Sequence, residues 1–85
     1  MPIISMFYGI IISMFYSDHM PPHFHAKYQD FEGIFALDGE MLKGNIPSKQ
    51  QKYIQVWADI HQAELLEAWQ DASQNKSLTS IRGLK

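Results

Sequence analysis

The chain has 85 residues, 46% hydrophobic and 13% aromatic, with 19% charged and a formal net charge of −2. That composition can fill one small core and excludes a disordered chain, while the seven Lys and Arg residues are scattered and form no basic stripe for autonomous nucleic-acid binding. The absence of cysteine excludes disulfides, thiolate metal sites and thiol catalysis.

The first 16 residues are almost wholly apolar, but Pro2, Ser5, Gly9 and Ser13 interrupt them and no Lys or Arg precedes Lys27. The run is shorter than the ~20 residues of a spanning helix and lacks the flanks of a signal peptide. It reads as two buried strands of a cytoplasmic protein with no membrane partner. The hexapeptide IISMFY stands at Ile3–Tyr8 and again at Ile11–Tyr16, with Gly9 marking the turn between the strands. Two copies fall short of a repeat architecture.

Asp18-His19-Met20-Pro21-Pro22 forms a loop, because each proline removes a backbone donor and biases its predecessor toward extended geometry. His23 to Gln29 alternates with period 2 and reads as a half-buried strand. Phe24, Ala26 and Tyr28 take its core side; His23, His25, Lys27 and Gln29 take its solvent side. Phe31 to Leu37 is the next strand, and Asp38-Gly39 a two-residue turn onto Glu40 to Gly44.

Pro47 ends the sheet. Ser48 with Gln51 matches a capping box opening a helical region. Ile54, Trp57, Ala58, Leu65, Ala68, Trp69 and Ala72 recur at spacings of three and four, a single apolar stripe along one helix or along two meeting near His61-Gln62. Asn75 and Lys76 end it, and Leu78, Ile81 and Leu84 can dock a C-terminal tail. The fold class expected is α+β: one domain, 1–85, with a small antiparallel β-meander of four to five strands (1–46), a helical region (47–75) and a tail (76–85). Phe24, Tyr28, Phe35, Ile54, Trp57, Leu65 and Trp69 are its expected core.

Ile4-Ser5, Phe7-Tyr8-Gly9-Ile10, Asp18-His19, Pro21-Pro22-His23-Phe24-His25-Ala26, Trp57-Ala58 with His61, and Glu64-Leu65-Leu66 with Trp69 together resemble the bacterial family catalogued as domain of unknown function 4160. The resemblance runs along nearly the whole chain and is most specific at DHMPPHFHAKY, where Met20 replaces the family's usual Asn. It implies small bacterial proteins with no established activity. It also implies a gene layout beside a second small protein, similar to a toxin–antitoxin module.

The residues support three functional readings. No nucleophile-elbow serine, phosphate-cradling glycine loop or paired-carboxylate motif is present, so the first is a non-enzymatic interaction module without a cofactor. It works with a small protein partner or a second copy, and the sheet edge or the histidine-bearing face recognises the partner through Asp18, His19, Pro21, Pro22, His23 and His25. The alternative is a zinc or other divalent-metal domain, or a metal-dependent hydrolase, drawing ligands from His19, His23, His25 and His61 with Asp18 available. Lys27 on the same strand face opposes a cation, and the expectation for His61 is a buried neutral imidazole bonded to the sheet or the loop. A histidine-dependent nuclease toxin is the third, requiring a local patch of Lys27, Lys43 and Lys52.

Overall fold

The computed structural model describes residues 2–84; Met1 and Lys85, the ends of the expected meander and tail, lie outside the described residues. Strand β1 (Ile3–Phe7) returns as β2 (Ile10–Ser13) with Phe7 opposite Ile10 and Met6 opposite Ile11. Tyr8 and Gly9 both have positive φ, 50° and 78°, the combination that lets a two-residue turn follow the twist of its strands. The ladder ends at Ser13 and does not run on to Tyr16. Met14 still donates to the Pro2 carbonyl (3.1 Å), but the Ser17 amide donates to Ala72 (3.0 Å), drawing the chain off the sheet and onto a helix.

β3 (His23–Tyr28) and β4 (Phe31–Ala36) pair from His23 opposite Ala36 to Tyr28 opposite Phe31. β5 is Met41–Asn45, so the connection from β4 has four residues rather than two. Within it the Gly39 amide donates to Ala36 and the Ala36 amide to Glu40, while Asp38 Oδ1 accepts from the Glu40 amide. Gly39 has φ +95°, and a Cβ there would lie 2.8 Å from the Gln55 Cα. The glycine is needed both for the turn and for the approach of the turn to the first helix. The sheet is an antiparallel meander in the order β1-β2-β3-β4-β5.

Helix α1 (Ser48–Ile60) begins one residue too early for a capping box. Pro47 is the cap, no side chain caps the helix, and the Gln51 amide already donates to Pro47, which leaves Ser48 no orphan donor to satisfy at that position. Gln51 instead donates through Nε2 to the Ile46 carbonyl at 2.6 Å. Helix α2 (Gln62–Ser73) follows after a bend at His61. The Gln62 side chain donates to the Ala58 carbonyl (3.0 Å) and to the Leu37 carbonyl at the end of the sheet. A side chain inserted into the helical ladder is a recognised cause of such bends.

All seven residues of the apolar stripe are buried. Phe24 and Phe35 stack at 5.6 Å, and Trp57 meets Phe24 edge-on and Phe7 at 5.3 Å. Tyr28, at the margin, is only partly buried. The tail closes the core: Ile81 is buried, its amide donates to the Ile4 carbonyl on β1 at 2.7 Å, and the Trp57 indole donates to the Arg82 carbonyl at 2.9 Å. No helix among the described residues is long and apolar enough to cross a membrane.

Candidate functional site

Strand pairing assigns the residues of the second sheet face, because residues opposite each other share a face. One row is Ile3, Ser13, His25, Ile34 and Lys43; the next is Met6, Ile11, Lys27, Glu32 and Asn45. Trp57 packs on the rows bearing Phe24 and Phe7, so the helices take the opposite face. The uncovered face exposes Ile3 (51%) and Met6 (64%), with Ile11 and Ile34 half-buried and Lys27, Glu32 and Lys43 exposed. Two shallow hollows flank His25 on this face. One, about 260 Å³, is lined by Ile34, Glu32 and Lys43, and the other, about 240 Å³, by Ile3, Ile11, Phe15 and Lys27.

At one end of this face lies the loop between β2 and β3. It leaves the sheet through Met14, which is fully buried, passes Ser17 at φ 52° and contains a cis Met20-Pro21 bond. Besides the Ser17 amide bond to Ala72, the Ser17 hydroxyl donates to Asn75 Oδ1 at 2.9 Å. The loop is thus tied to the end of α2 and folds back over the start of β3. Phe15, expected within a strand, instead stacks on the His25 ring at 4.3 Å and 15°.

Asp18 is the centre of the loop. Its Oδ1 accepts from the His19 amide at 2.9 Å and lies 3.0 Å from His19 Nδ1; its Oδ2 lies 2.8 Å from His23 Nε2 and 3.6 Å from His25 Nε2. Burial pushes this carboxyl up, but the His19 amide, the His23 ring with its charge, and His25 outweigh that and hold it below the ordinary carboxylate value. It is therefore ionised at neutral pH. His23 Nδ1 lies 2.7 Å from the Pro21 carbonyl, which can only accept, and Nε2 faces a carboxylate, which also only accepts. Nδ1 therefore donates to Pro21, and the Nε2 edge of the ring is held against the Asp18 carboxylate.

The expectation that His23 lies on a solvent face is corrected here. His23 is buried at 5% exposure, its ring 5.3 Å from that of Trp69, because α2 and the folded-back loop close over the first residue of the strand. Further along the strand, His25 is half-buried and Lys27 exposed. Pro21 and His19 are exposed and Pro22 is half-buried. His61 stands apart, bonded through Nδ1 to Glu64 Oε1 at 2.5 Å and packed 5.7 Å from the Trp57 ring. Its partner is on α2, which follows it directly, not in the sheet or the loop. Among the described residues, the cluster whose donor atoms converge is Asp18, His23 and His25. The uncovered apolar face and the Phe15 wall were not among the expected site residues. The available signal was the position of the second IISMFY copy directly before Ser17-Asp18.

The model of the family described as "Domain of unknown function (DUF4160)" matches residues 9–70, well over half of the chain. The chain belongs to the DUF4160 family. The DUF4160 match takes in β2, the whole histidine loop, β3 to β5 and most of both helices. No curated protein and no solved structure matches this DUF4160 chain.

Proposed function

We propose that the chain is a non-enzymatic protein-interaction domain that docks a small partner protein on the uncovered sheet face. The observation that carries this reading is the contiguity of Ile3, Met6, Ile11 and Phe15 on that face, with Met6 64% and Ile3 51% exposed. A cluster of apolar side chains in water is what a protein interface removes from water. The apolar cluster gives way across β3 to β5 to Lys27, Glu32 and Lys43, two cations and one anion. The partner that fits is therefore a different protein with an apolar patch flanked by acidic side chains. The two-gene layout implied by the family resemblance agrees with this reading. Among the residues expected to contact a partner, His19 and Pro21 are exposed and Asp18, Pro22 and His25 are half-buried, all with accessible surface; His23 acts from beneath by holding Asp18.

The test is retrieval from source cells with the wild-type chain and with Met6→Lys/Phe15→Lys, whose sites are exposed and whose fold should survive, as circular dichroism would verify. The expected result is a stoichiometric partner with an acidic surface. It should be lost with the double variant and weakened by Lys27→Glu and by salt. Identical retrieval by the wild type and the double variant would sink the reading. So would sedimentation showing that the face is occupied by a second copy.

A further inference from the structure

The Asp18, His23 and His25 cluster supports an inference independent of the docking reading. We infer that these side chains form a binding site for one divalent first-row transition-metal ion, with zinc the appropriate probe. His23 Nε2, His25 Nε2 and an Asp18 carboxylate oxygen all lie within 4.8 Å of one another. Ligand atoms of a tetrahedral ion with ~2.0–2.1 Å bonds stand about 3.3–3.4 Å apart. The separations from Asp18 Oδ2, 2.8 Å to His23 and 3.6 Å to His25, bracket that value. Small rotations of the rings and the carboxylate would bring the three atoms onto one ion.

The surroundings match those of a metal ligand set. A ligating histidine ordinarily donates its other ring N–H to a carbonyl or carboxylate, which fixes the tautomer and aims the free nitrogen at the ion. His23 has this arrangement, with Nδ1 donating to Pro21 at 2.7 Å. The His25 ring is held by the Phe15 stack at 4.3 Å, and its Nε2 is buried with no hydrogen-bond partner. A buried polar atom left without a partner is costly; an ion between His25, His23 and Asp18 gives it one. A ligating nitrogen must be free of its proton, so any proton held on His23 Nε2 leaves to solvent as the ion enters. Two imidazoles and one carboxylate carry a net charge of −1 and suit a borderline-soft dication over magnesium or calcium, which prefer all-oxygen shells. Lys27, whose charge opposes an ion on this face, stands directly opposite Glu32, and that carboxylate offsets it. Three protein ligands leave a fourth position to water or an incoming ligand.

The experiment is zinc titration of metal-depleted full-length protein by calorimetry, with thermal melting and cobalt absorption spectra alongside. The expected result is one zinc per chain, a rise in melting temperature, no response to magnesium, and cobalt bands of a four-coordinate ion. His25→Ala removes a ligand that makes no hydrogen bond in the fold, so the variant should stay folded. It should bind zinc more weakly by at least the ~10–100-fold that loss of even an outer-shell partner costs. His61→Ala should bind like the wild type. Absence of zinc binding by the folded wild type, or equal affinities for wild type and His25→Ala, would overturn the site. Loss of binding on His61→Ala with His25→Ala unaffected would also do so.

Discussion

The hexapeptide IISMFY occurs twice in the chain, and its two copies share the same environment at their second and third residues before parting. Ile4 and Ile12, and Ser5 and Ser13, are buried in both. Then Met6 is 64% exposed where Met14 is fully buried, and Phe7 is 5% exposed where Phe15 is 38% exposed. Local propensity is the same in both, so the difference comes from what each copy pairs with. The first copy remains in the ladder to Phe7, alternating from Ser5 onward after an irregularity between Ile3 and Ser5, and delivers that ring to Trp57. The second leaves the ladder after Ser13 because the following amide at Ser17 finds the Ala72 carbonyl. The methionine then enters the core and the phenylalanine turns out onto His25. Strand patterning reports which residues can share a face, while long-range hydrogen bonds decide where a strand ends.

The comparison breaks most sharply if matching substitutions in the two copies cost the same. Phe7→Ala should destabilise by about 3–5 kcal/mol and Phe15→Ala by under about 1 kcal/mol in urea denaturation. Equal losses would put both rings in the core. The methionines reverse the order, with a smaller expected difference: Met14→Ala should cost about 2–4 kcal/mol and Met6→Ala less than about 0.5 kcal/mol.

The loop that diverts the second copy depends on Asp18, and Asp18→Asn should cost about 1.5–3 kcal/mol at pH 7 through its charged hydrogen bonds. Its native pKa is lowered, so the wild-type advantage is fully present above the ordinary carboxylate value of about 3.9 and is lost as pH falls through the depressed native value. Denaturation curves at pH 7 and in acid should converge for the two proteins; a constant gap would show that the carboxylate's charge has no part in holding the loop. The smallest effect belongs to Ser48→Ala. A working N-cap costs ~0.5–2 kcal/mol to remove; here the change should stay within about 0.5 kcal/mol, because no cap bond exists to lose.

Much of the fold was legible in the residues. The three-and-four spacing from Ile54 to Ala72 can be satisfied only by a helical face, and every member of that stripe is buried. The alternation of Phe24 and Ala26 against Lys27 placed the core side of β3 correctly. What remained hidden depends on groups far apart in sequence. Gln62 reaches Leu37 across 25 positions, and nothing local to His61 encodes that bend. His23 looked solvent-facing by parity, yet Trp69 and the loop cover it. For the candidate site, the histidine spacing was visible and Asp18 was a candidate, but the convergence of the three donors requires the loop to fold back, which follows from its attachment to α2.

The junction between tail and core has a consequence for dynamics. The last residues of a chain usually fray and exchange their amide hydrogens quickly. Here Ile81 is buried, its amide is held by Ile4, and the carbonyl of the next residue accepts from the fully buried Trp57 indole. Detaching the tail would leave that indole N–H without a partner inside the core, a cost of about 1–3 kcal/mol on top of returning the Ile81 side chain to water. The Ile81 amide should therefore exchange at a rate close to that of the β2 and β3 amides, so that the end of the chain opens together with its centre.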